Sequence, residues 1–169
     1  MIILLVLQIF FNNLTREINY QMSDPKIKQF LTKIKQVESS GGINTNHPVI
    51  KSGIQAGDRA AGSYGLMPNT VHEIINRMRI HGTLTPELKQ LNNLDPNTLK
   101  NTIEKNPNLE EQLAEHLAQR VLDRQQDEEK AAFSWNQGHN LTPEEIEKRD
   151  YKNSDYVKKF NKVKSDEEE

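Results

Sequence analysis

Apolar residues that recur at three- and four-residue spacings are the feature that most constrains how this chain folds. In the segment that starts at Ser23 they are Ile27, Phe30, Leu31, Ile34 and Val37. This spacing places them on one face of an α-helix and leaves the lysines on the outer face. The sequence therefore predicts an amphipathic helix that carries Glu38 at its carboxyl end, where Ser39-Ser40-Gly41-Gly42 stops it.

The same period recurs further along the chain. A second helix is predicted between Val71 and Gly82, and short helices are predicted to begin at Thr85-Pro86 and at Asp95-Pro96, because a capping residue before proline favours a helix start. The longest periodic segment is residues 109–130. Its predicted buried residues are Leu113, Ala114, Leu117, Ala118, Val121 and Leu122.

Residues 43–63 interrupt this pattern. They are rich in glycine, asparagine and polar residues without a sustained period, which predicts an irregular segment or a small β-sheet. The expected fold is therefore mainly α-helical, with this segment between the first two helices. A chain of 169 residues with 34% hydrophobic residues is sufficient for one such domain, which we place at residues 23–162.

Composition excludes several classes of function. The formal net charge of −2 gives no basic field for nucleic acid, and the absence of cysteine excludes disulfides, thiol nucleophiles and cysteine-based metal sites. The histidines lack the spacing of metal ligands, so neither a metal nor another cofactor is expected. They are His47, His72, His81, His116 and His139.

The amino-terminal residues 1–22 begin with an apolar run over residues 1–11 that is too short to span a bilayer. The run lacks the basic start and the small-residue cleavage site of a secretory signal. Three interpretations stay open: a weak export signal, a short anchor at a membrane surface, or a start site set upstream of a domain that begins at Met22-Ser23. Residues 163–169 form a charged tail, which is typical of a solvated terminus.

Four short motifs follow one another along the chain. They are Glu38-Ser39-Ser40-Gly41-Gly42, Gly65-Leu66-Met67-Pro68-Asn69-Thr70, Ser134-Trp135-Asn136-Gln137-Gly138 and Asp155-Tyr156-Val157-Lys158-Lys159. In this order they resemble the motifs of the soluble lytic transglycosylases, which are relatives of goose-type lysozyme. The resemblance covers residues 26–162, and it rests on the order and co-occurrence of motifs that are individually short.

The resemblance implies a lysozyme-like helical domain that cleaves the β-1,4 bond between MurNAc and GlcNAc in peptidoglycan and leaves a 1,6-anhydro-MurNAc product. It implies a monomer that acts in the cell envelope, in the periplasm or outside the cell, or as part of a phage virion. Pro68 stands where the family commonly has glutamine, Trp135 replaces tyrosine, and Gln137 replaces a small residue. These departures change expected groove contacts but not the acid, and His139 receives no catalytic role.

Glu38 is the candidate proton donor. Glycosidic cleavage needs a carboxylic acid that stays protonated near neutral pH, and apolar neighbours such as Met67 and Tyr156 would raise the pKa of Glu38 by disfavouring its charged form. The partial negative charge at a helix carboxyl end acts in the same direction. The alternative is that Glu38 is one surface acid among many and caps a turn with Ser39.

The type of cleavage depends on a second carboxylate. A hydrolase uses a second acid group on water or as a nucleophile, whereas a lytic transglycosylase uses one glutamate as acid and then as base toward the C6 hydroxyl of the sugar. Asp58 is the candidate for a second group, but its Gly-Asp-Arg context favours a turn residue. We therefore expect a transglycosylase, and keep a goose-type hydrolase and a non-catalytic glycan-binding module as alternatives.

The remaining candidate site residues bind substrate. The resemblance places Tyr64, Gly65, Leu66 and Met67 along the groove beside the acid, with core packing as the alternative for Met67. Ser39 would hydrogen-bond the substrate or orient Glu38, or simply be a polar residue at the end of a helix.

The third and fourth motifs supply three more candidates. Trp135 offers a face for stacking on a sugar, and Asn136 would contact an acetamido group or fix its loop. Tyr156 would bond the Glu38 carboxyl or the substrate, or be a half-buried aromatic residue on the last helix.

Overall fold

The computed structural model describes residues 24–51 and 56–163, and most of these residues are helical. The α-helices are α1 (Pro25–Ser39), α2 (Pro68–Ile80), α3 (Pro86–Lys89), α4 (Pro96–Glu104), α5 (Pro107–Gln125), α6 (Glu128–Gln137), α7 (Pro143–Glu147) and α8 (Asp155–Lys162). Short 3-10 helices occupy Gln90–Asn93 and Tyr151–Asn153. The predicted mainly α-helical fold is confirmed.

The apolar segment 1–22 and all but the first residue of the tail lie outside the described residues. The interpretations proposed for them stay predictions. Within the described ranges, no helix has the combination of length and apolar character that crossing a bilayer requires.

Three of the predicted helix starts are confirmed by their caps, whereas the helix predicted from Val71 begins earlier, at Pro68. Asp24 accepts the N–H of Lys26 at 2.9 Å before α1, and the Thr85 side chain accepts the N–H of Leu88 at 3.3 Å before α3. Asp95 caps α4 by accepting two backbone N–H groups. Each cap is followed by proline in the first turn of the helix. Proline lacks a backbone N–H, but the N–H groups of the first turn have no partner within the helix, so no hydrogen bond is lost. Local capping chemistry therefore decides where these helices begin.

The prediction of one continuous helical element over residues 109–130 is wrong. Helix α5 ends at Gln125, Gln126 adopts a left-handed conformation with φ of 54°, and Asp127 begins α6 by accepting the N–H of Lys130 at 2.8 Å. An aspartate that caps a new helix is more stable than one inside a continuous helix, which explains the break. The predicted inner face of α5 is buried as expected.

The segment between α1 and α2 is irregular in its described parts, 40–51 and 56–67, and no strand forms there. Its regular feature is an isolated antiparallel bridge between Ala61 and Leu66, whose backbone groups exchange hydrogen bonds of 2.8 and 3.0 Å. This bridge closes a four-residue turn, Gly62-Ser63-Tyr64-Gly65, which we call the 62–65 turn. The irregular alternative is therefore observed, and the small sheet is not.

The core brings the two ends of the domain together. Helix α1 packs on α5 and α8, and α6 packs on the same two helices. At the centre, the Phe30 ring lies 6.0 Å from that of Trp135 and 5.5 Å from that of Phe160, measured between ring centroids. This aromatic contact fixes the carboxyl half of the domain against α1, whose last turn carries Glu38.

A second anchor joins α2, α5 and the loop after α6 through the carboxylate of Glu73. Glu73 accepts hydrogen bonds from Arg120 at 2.9 Å, from the Arg77 guanidinium at 3.1 Å and from Asn140 at 3.2 Å, and it pairs with His139 at 2.8 Å. Burial acts to raise the pKa of Glu73, but the bonds to His139, Arg120 and Asn140 outweigh it and lower the pKa to about 2. His139 therefore helps to hold the loop after α6 against α2.

We expect Glu73→Gln to destabilise the fold in a pH-dependent way. Because the pKa of Glu73 is lowered in the folded state, its stabilising effect is present above its ordinary value of 4.5 and is lost as pH falls through about 2. Urea unfolding at pH 7 should show a loss of about 1–2 kcal/mol. The exposed Glu87 gives a control substitution to Gln. A difference from wild type that is the same at pH 7 and pH 2 would contradict the assignment.

Candidate active site

The Glu38 carboxyl group lies where α1 ends and α8 begins. Glu38 is the penultimate residue of α1, and the Tyr156 hydroxyl on α8 donates a hydrogen bond of 2.8 Å to Glu38 Oε1. This bond joins the first and fourth motifs, which are 118 residues apart. It places Tyr156 on the Glu38 carboxyl, one of the two functional positions considered for this tyrosine.

The second motif contacts the other oxygen of the same carboxyl group through its glycine. Gly65 has φ of +64°, and a Cβ on Gly65 would lie only 2.6 Å from Glu38 Oε2 and 2.9 Å from Glu38 Cδ. A side chain at position 65 would therefore collide with the carboxyl group. The motif needs glycine because its backbone packs directly on Glu38.

The third motif reaches this turn from α6. Trp135 Nε1 donates a hydrogen bond of 3.3 Å to the Tyr64 carbonyl oxygen, next to Gly65. The four motifs, of which the first and the last are 118 residues apart in the sequence, are thus connected through Glu38 and the turn beside it. The arrangement holds the carboxyl group between a backbone turn and a phenol.

The environment of Glu38 raises its pKa. Burial is the largest cause, because a half-buried carboxylate loses hydration. The Tyr156 hydrogen bond and the charge of His47 lower the pKa but offset only part of that effect. The protonated form therefore persists to higher pH than in an exposed glutamate, as a proton donor requires.

Ser39 connects the end of α1 to the 62–65 turn. It is 2% exposed, and its Oγ lies 2.9 Å from the Lys35 carbonyl oxygen and 2.8 Å from the Ser63 carbonyl oxygen. It also accepts the N–H of Gly42 at 2.8 Å. Because its single O–H is committed to backbone carbonyls, the structure supports positioning of Glu38 over a bond to substrate.

Two residues expected along the groove are core residues. The Tyr64 ring is 4% exposed, its hydroxyl donates to Glu111 Oε2 at 2.6 Å, and the Lys35 ammonium lies 5.6 Å from the ring centroid. Leu66 is 1% exposed. The turn directs both side chains inward, so the motif borders Glu38 through the backbone of Gly65 and not through these side chains.

The other predicted contacts differ in their access to solvent. Met67 is half-buried where α2 begins, and Asn136 is exposed at the end of α6, so both remain available to a ligand. Trp135 packs edge-on against Phe30 and bonds the turn, so its face serves the core and the expected stacking on a sugar is not supported.

The backbone of Asp58 pairs with that of Ile50, as expected for a turn residue. The Ile50 N–H donates to the Asp58 carbonyl at 2.9 Å, and the Gly57 N–H donates to the Ile50 carbonyl at 2.9 Å. The structure therefore gives no support to Asp58 as a second catalytic group.

Comparisons of the chain with family models, curated proteins and solved structures found no match. The likeness to lytic transglycosylases therefore depends on the sequence motifs alone and stays a prediction. Within residues 24–51 and 56–163, no group of three histidine or acidic side chains is placed to hold a metal ion.

Two residues that support the site were not predicted from the sequence. His47 Nε2 lies 2.7 Å from the Gly62 carbonyl oxygen, and its charge acts on Glu38. Glu110 is 5% exposed and accepts the Tyr64 N–H at 2.8 Å. Nothing around His47 in the sequence indicates this contact. Glu110, however, precedes Leu113 and Ala114 by three and four residues, a spacing that indicates the buried face of α5.

We expect Tyr156→Phe to raise the pKa of Glu38 further, because the variant removes the hydrogen bond that stabilises the carboxylate. If Glu38 is the proton donor, the alkaline limb of the pH profile of kcat/KM should move to higher pH. The rate should fall about tenfold, since a bond to a charged group is lost. Tyr151→Phe removes a hydroxyl on the neighbouring 3-10 helix and serves as the control. An unmoved alkaline limb would contradict this role of Tyr156.

Proposed function

We propose that this chain is a peptidoglycan lytic transglycosylase in which Glu38 is the general acid and then the general base. The observation that supports this most is the position of Glu38: a half-buried carboxyl group with a raised pKa, contacted by Tyr156 of the fourth motif and Gly65 of the second. The third motif bonds the backbone next to Gly65 through Trp135. A surface acid that only caps a turn would not need a glycine backbone on one oxygen and a phenol on the other.

The chemistry follows from one carboxyl group. Protonated Glu38 donates its proton to the glycosidic oxygen, and the bond between C1 of MurNAc and that oxygen breaks as positive charge develops at C1. The Glu38 carboxylate then removes the proton from the C6 hydroxyl of the same MurNAc, and O6 bonds to C1. The products are a GlcNAc 4-hydroxyl and a 1,6-anhydro-MurNAc end, water is not consumed, and Glu38 is protonated again.

Tyr156 assists the half of this cycle in which Glu38 is ionised. Its hydroxyl donates to Glu38 Oε1, and burial and the neighbouring charge of Glu38 raise the pKa of Tyr156 well above its ordinary value. The phenol therefore remains a donor throughout the working pH range. It stabilises the carboxylate between the two proton transfers without competing for the proton.

We favour the transglycosylase over the goose-type hydrolase because the contacts between the motifs converge on one carboxyl group, that of Glu38. Asp58 is in a backbone turn, and the Glu110 carboxylate accepts a backbone N–H of the 62–65 turn. The Glu110 carboxylate is therefore committed to the turn and not to water beside Glu38. Because the proposed substrate is peptidoglycan, the proposed location is the cell envelope, the space outside the cell or a phage virion. We propose that the protein acts there as a monomer.

Product analysis tests this proposal. Purified sacculi digested with the protein and examined by mass spectrometry should yield muropeptides that end in 1,6-anhydro-MurNAc, lighter by one water than the hydrolytic product. Reducing-end MurNAc would overturn the transglycosylase assignment in favour of a hydrolase. Binding to sacculi without release of fragments would overturn it in favour of a glycan-binding module.

A further inference from the structure

Glu110 is a buried acid that belongs to none of the four motifs. It lies in the first turn of α5, is 5% exposed, and its Oε1 accepts the Tyr64 N–H at 2.8 Å. The Ser63 N–H also bonds to this carboxyl group, and the charge of Lys35 favours the ionised form. Burial nevertheless outweighs these effects and raises the pKa of Glu110. Burying a carboxyl group costs free energy, so the position of Glu110 and its bonds to the turn need an explanation.

The 62–65 turn is shaped by a carboxyl group at each end. Gly62 has φ of +70°, and a Cβ at position 62 would overlap the Glu110 carboxyl group. Gly65 has φ of +64°, and a Cβ at position 65 would overlap the Glu38 carboxyl group. The two glycines therefore allow the same short backbone segment to approach Glu110 on one side and Glu38 on the other.

We propose that Glu110 is a positioning residue for Glu38, which it reaches through the 62–65 turn. The inference depends on the proposed role of Glu38 as proton donor. By holding the Ser63 and Tyr64 N–H groups, the Glu110 carboxylate fixes where the turn ends, and Gly65 at that end packs on Glu38. The Ser39 hydroxyl, close to the Ser63 carbonyl oxygen, ties α1 to the same turn.

A carboxylate suits this position better than an amide. Two oxygens without hydrogens accept both N–H groups, whereas a glutamine accepts with one oxygen and turns its NH2 group toward the second donor. We therefore expect Glu110→Gln to leave the helices in place and loosen the turn. Water would then reach Glu38, and the pKa of Glu38 would fall toward that of an exposed glutamate.

The test compares Glu110→Gln with Glu111→Gln. Glu111 is the adjacent residue and also bonds Tyr64, but through the side-chain hydroxyl at 2.6 Å and not through the backbone. In Glu110→Gln we expect kcat on glycan strands to fall about 10- to 100-fold with little change in KM, because the acid is displaced rather than the groove. The alkaline limb of the pH profile should move to lower pH. Glu111→Gln should change neither quantity.

A direct measurement separates this inference from the proposed function. NMR titration of the Glu38 side-chain carbon reports the pKa of Glu38 whether or not the protein cleaves glycan. A lower pKa in Glu110→Gln than in wild type supports the positioning role even if product analysis rejects the transglycosylase. An unchanged pKa together with unchanged kcat per folded molecule would show that Glu110 serves only the fold.

Gly62→Ala disturbs the contact between the turn and Glu110 by a change in the turn itself. Its Cβ would displace the Glu110 carboxyl group, so we expect the lowered pKa of Glu38 and the lowered kcat to recur without any change at position 110. This variant also covers the case in which Glu110→Gln does not fold. If neither variant folds, the turn is a folding element and the positioning proposal is overturned.

Discussion

Replacing Glu38 with glutamine is expected to abolish glycan cleavage and to leave a folded, more stable protein. An amide at this position cannot donate a proton to the glycosidic oxygen or accept one from the C6 hydroxyl. General acid or base assistance is worth about 10²–10⁴-fold, and in the proposed cycle one residue performs both steps. We expect cleavage of sacculi to fall at least about 10³-fold, measured as release of soluble muropeptides.

The gain in stability has a defined pH dependence. Burial raises the pKa of Glu38 in the folded state, so its ionised form destabilises the fold above the ordinary value of 4.5. Glu38→Gln removes that cost, and the free energy of unfolding at pH 7 should rise by about 1 kcal/mol. The gain should vanish below pH 4.5, where Glu38 is protonated in the folded and unfolded states.

The exposed Glu144 offers a matched control for this substitution, since Glu144→Gln changes the same functional group on the surface. It should leave both cleavage and stability close to wild type. Residual cleavage by Glu38→Gln near the wild-type rate would show that another group is the acid. Loss of activity in both variants would instead indicate an effect of charge on binding to the wall.

The second large effect is expected from Gly65→Ala. Alanine at φ of +64° is strained by about 1–2 kcal/mol, and its methyl group would lie 2.6 Å from Glu38 Oε2. The carboxyl group or the turn must move to relieve that contact. A displacement of about 1 Å at a reacting group costs about 100-fold in rate, so we expect kcat to fall by at least that factor.

Gly82→Ala separates strain from collision. Gly82 has φ of +68°, nearly the same as Gly65, but a Cβ at position 82 meets nothing within 4 Å. Gly65→Ala should lose at least as much stability as Gly82→Ala in thermal unfolding, while only Gly65→Ala should lose activity per folded molecule. Equal loss of activity in the two variants would mean that backbone strain, and not contact with Glu38, explains the effect.

Local chemistry in the sequence was sufficient to predict three of the eight α-helix starts in the described residues, together with the apolar faces. Capping residues before proline and three- to four-residue spacing act over a few neighbouring residues, which is why α1, α3 and α4 begin where expected. The break at Gln126 was missed because the apolar pattern does not reveal a left-handed residue between two helices.

The site was predicted only in part, because sequence patterns do not show how distant segments pack on one another. Motif order brought Glu38 and Tyr156 to one site, but it could not show on which side of the 62–65 turn a side chain lies. Tyr64 points to α5, and Trp135 is taken up by the core. Glu110 shows a second limit of the sequence prediction. An acid on the buried face of a helix indicates that it has a partner, but the sequence does not identify that partner as the backbone of a distant turn.

The bond between Glu38 and Tyr156 also joins two helices that a ribosome makes at different times. Helix α1 is made early, but the phenol that completes the acid lies on α8, more than a hundred residues later. A ribosome-bound chain that lacks α8 therefore has its acid without the hydrogen-bond donor and without the Phe160 ring that packs against Phe30. We expect the proposed acid to acquire its complete surroundings only after α8 has docked on α1, late in the synthesis of the domain.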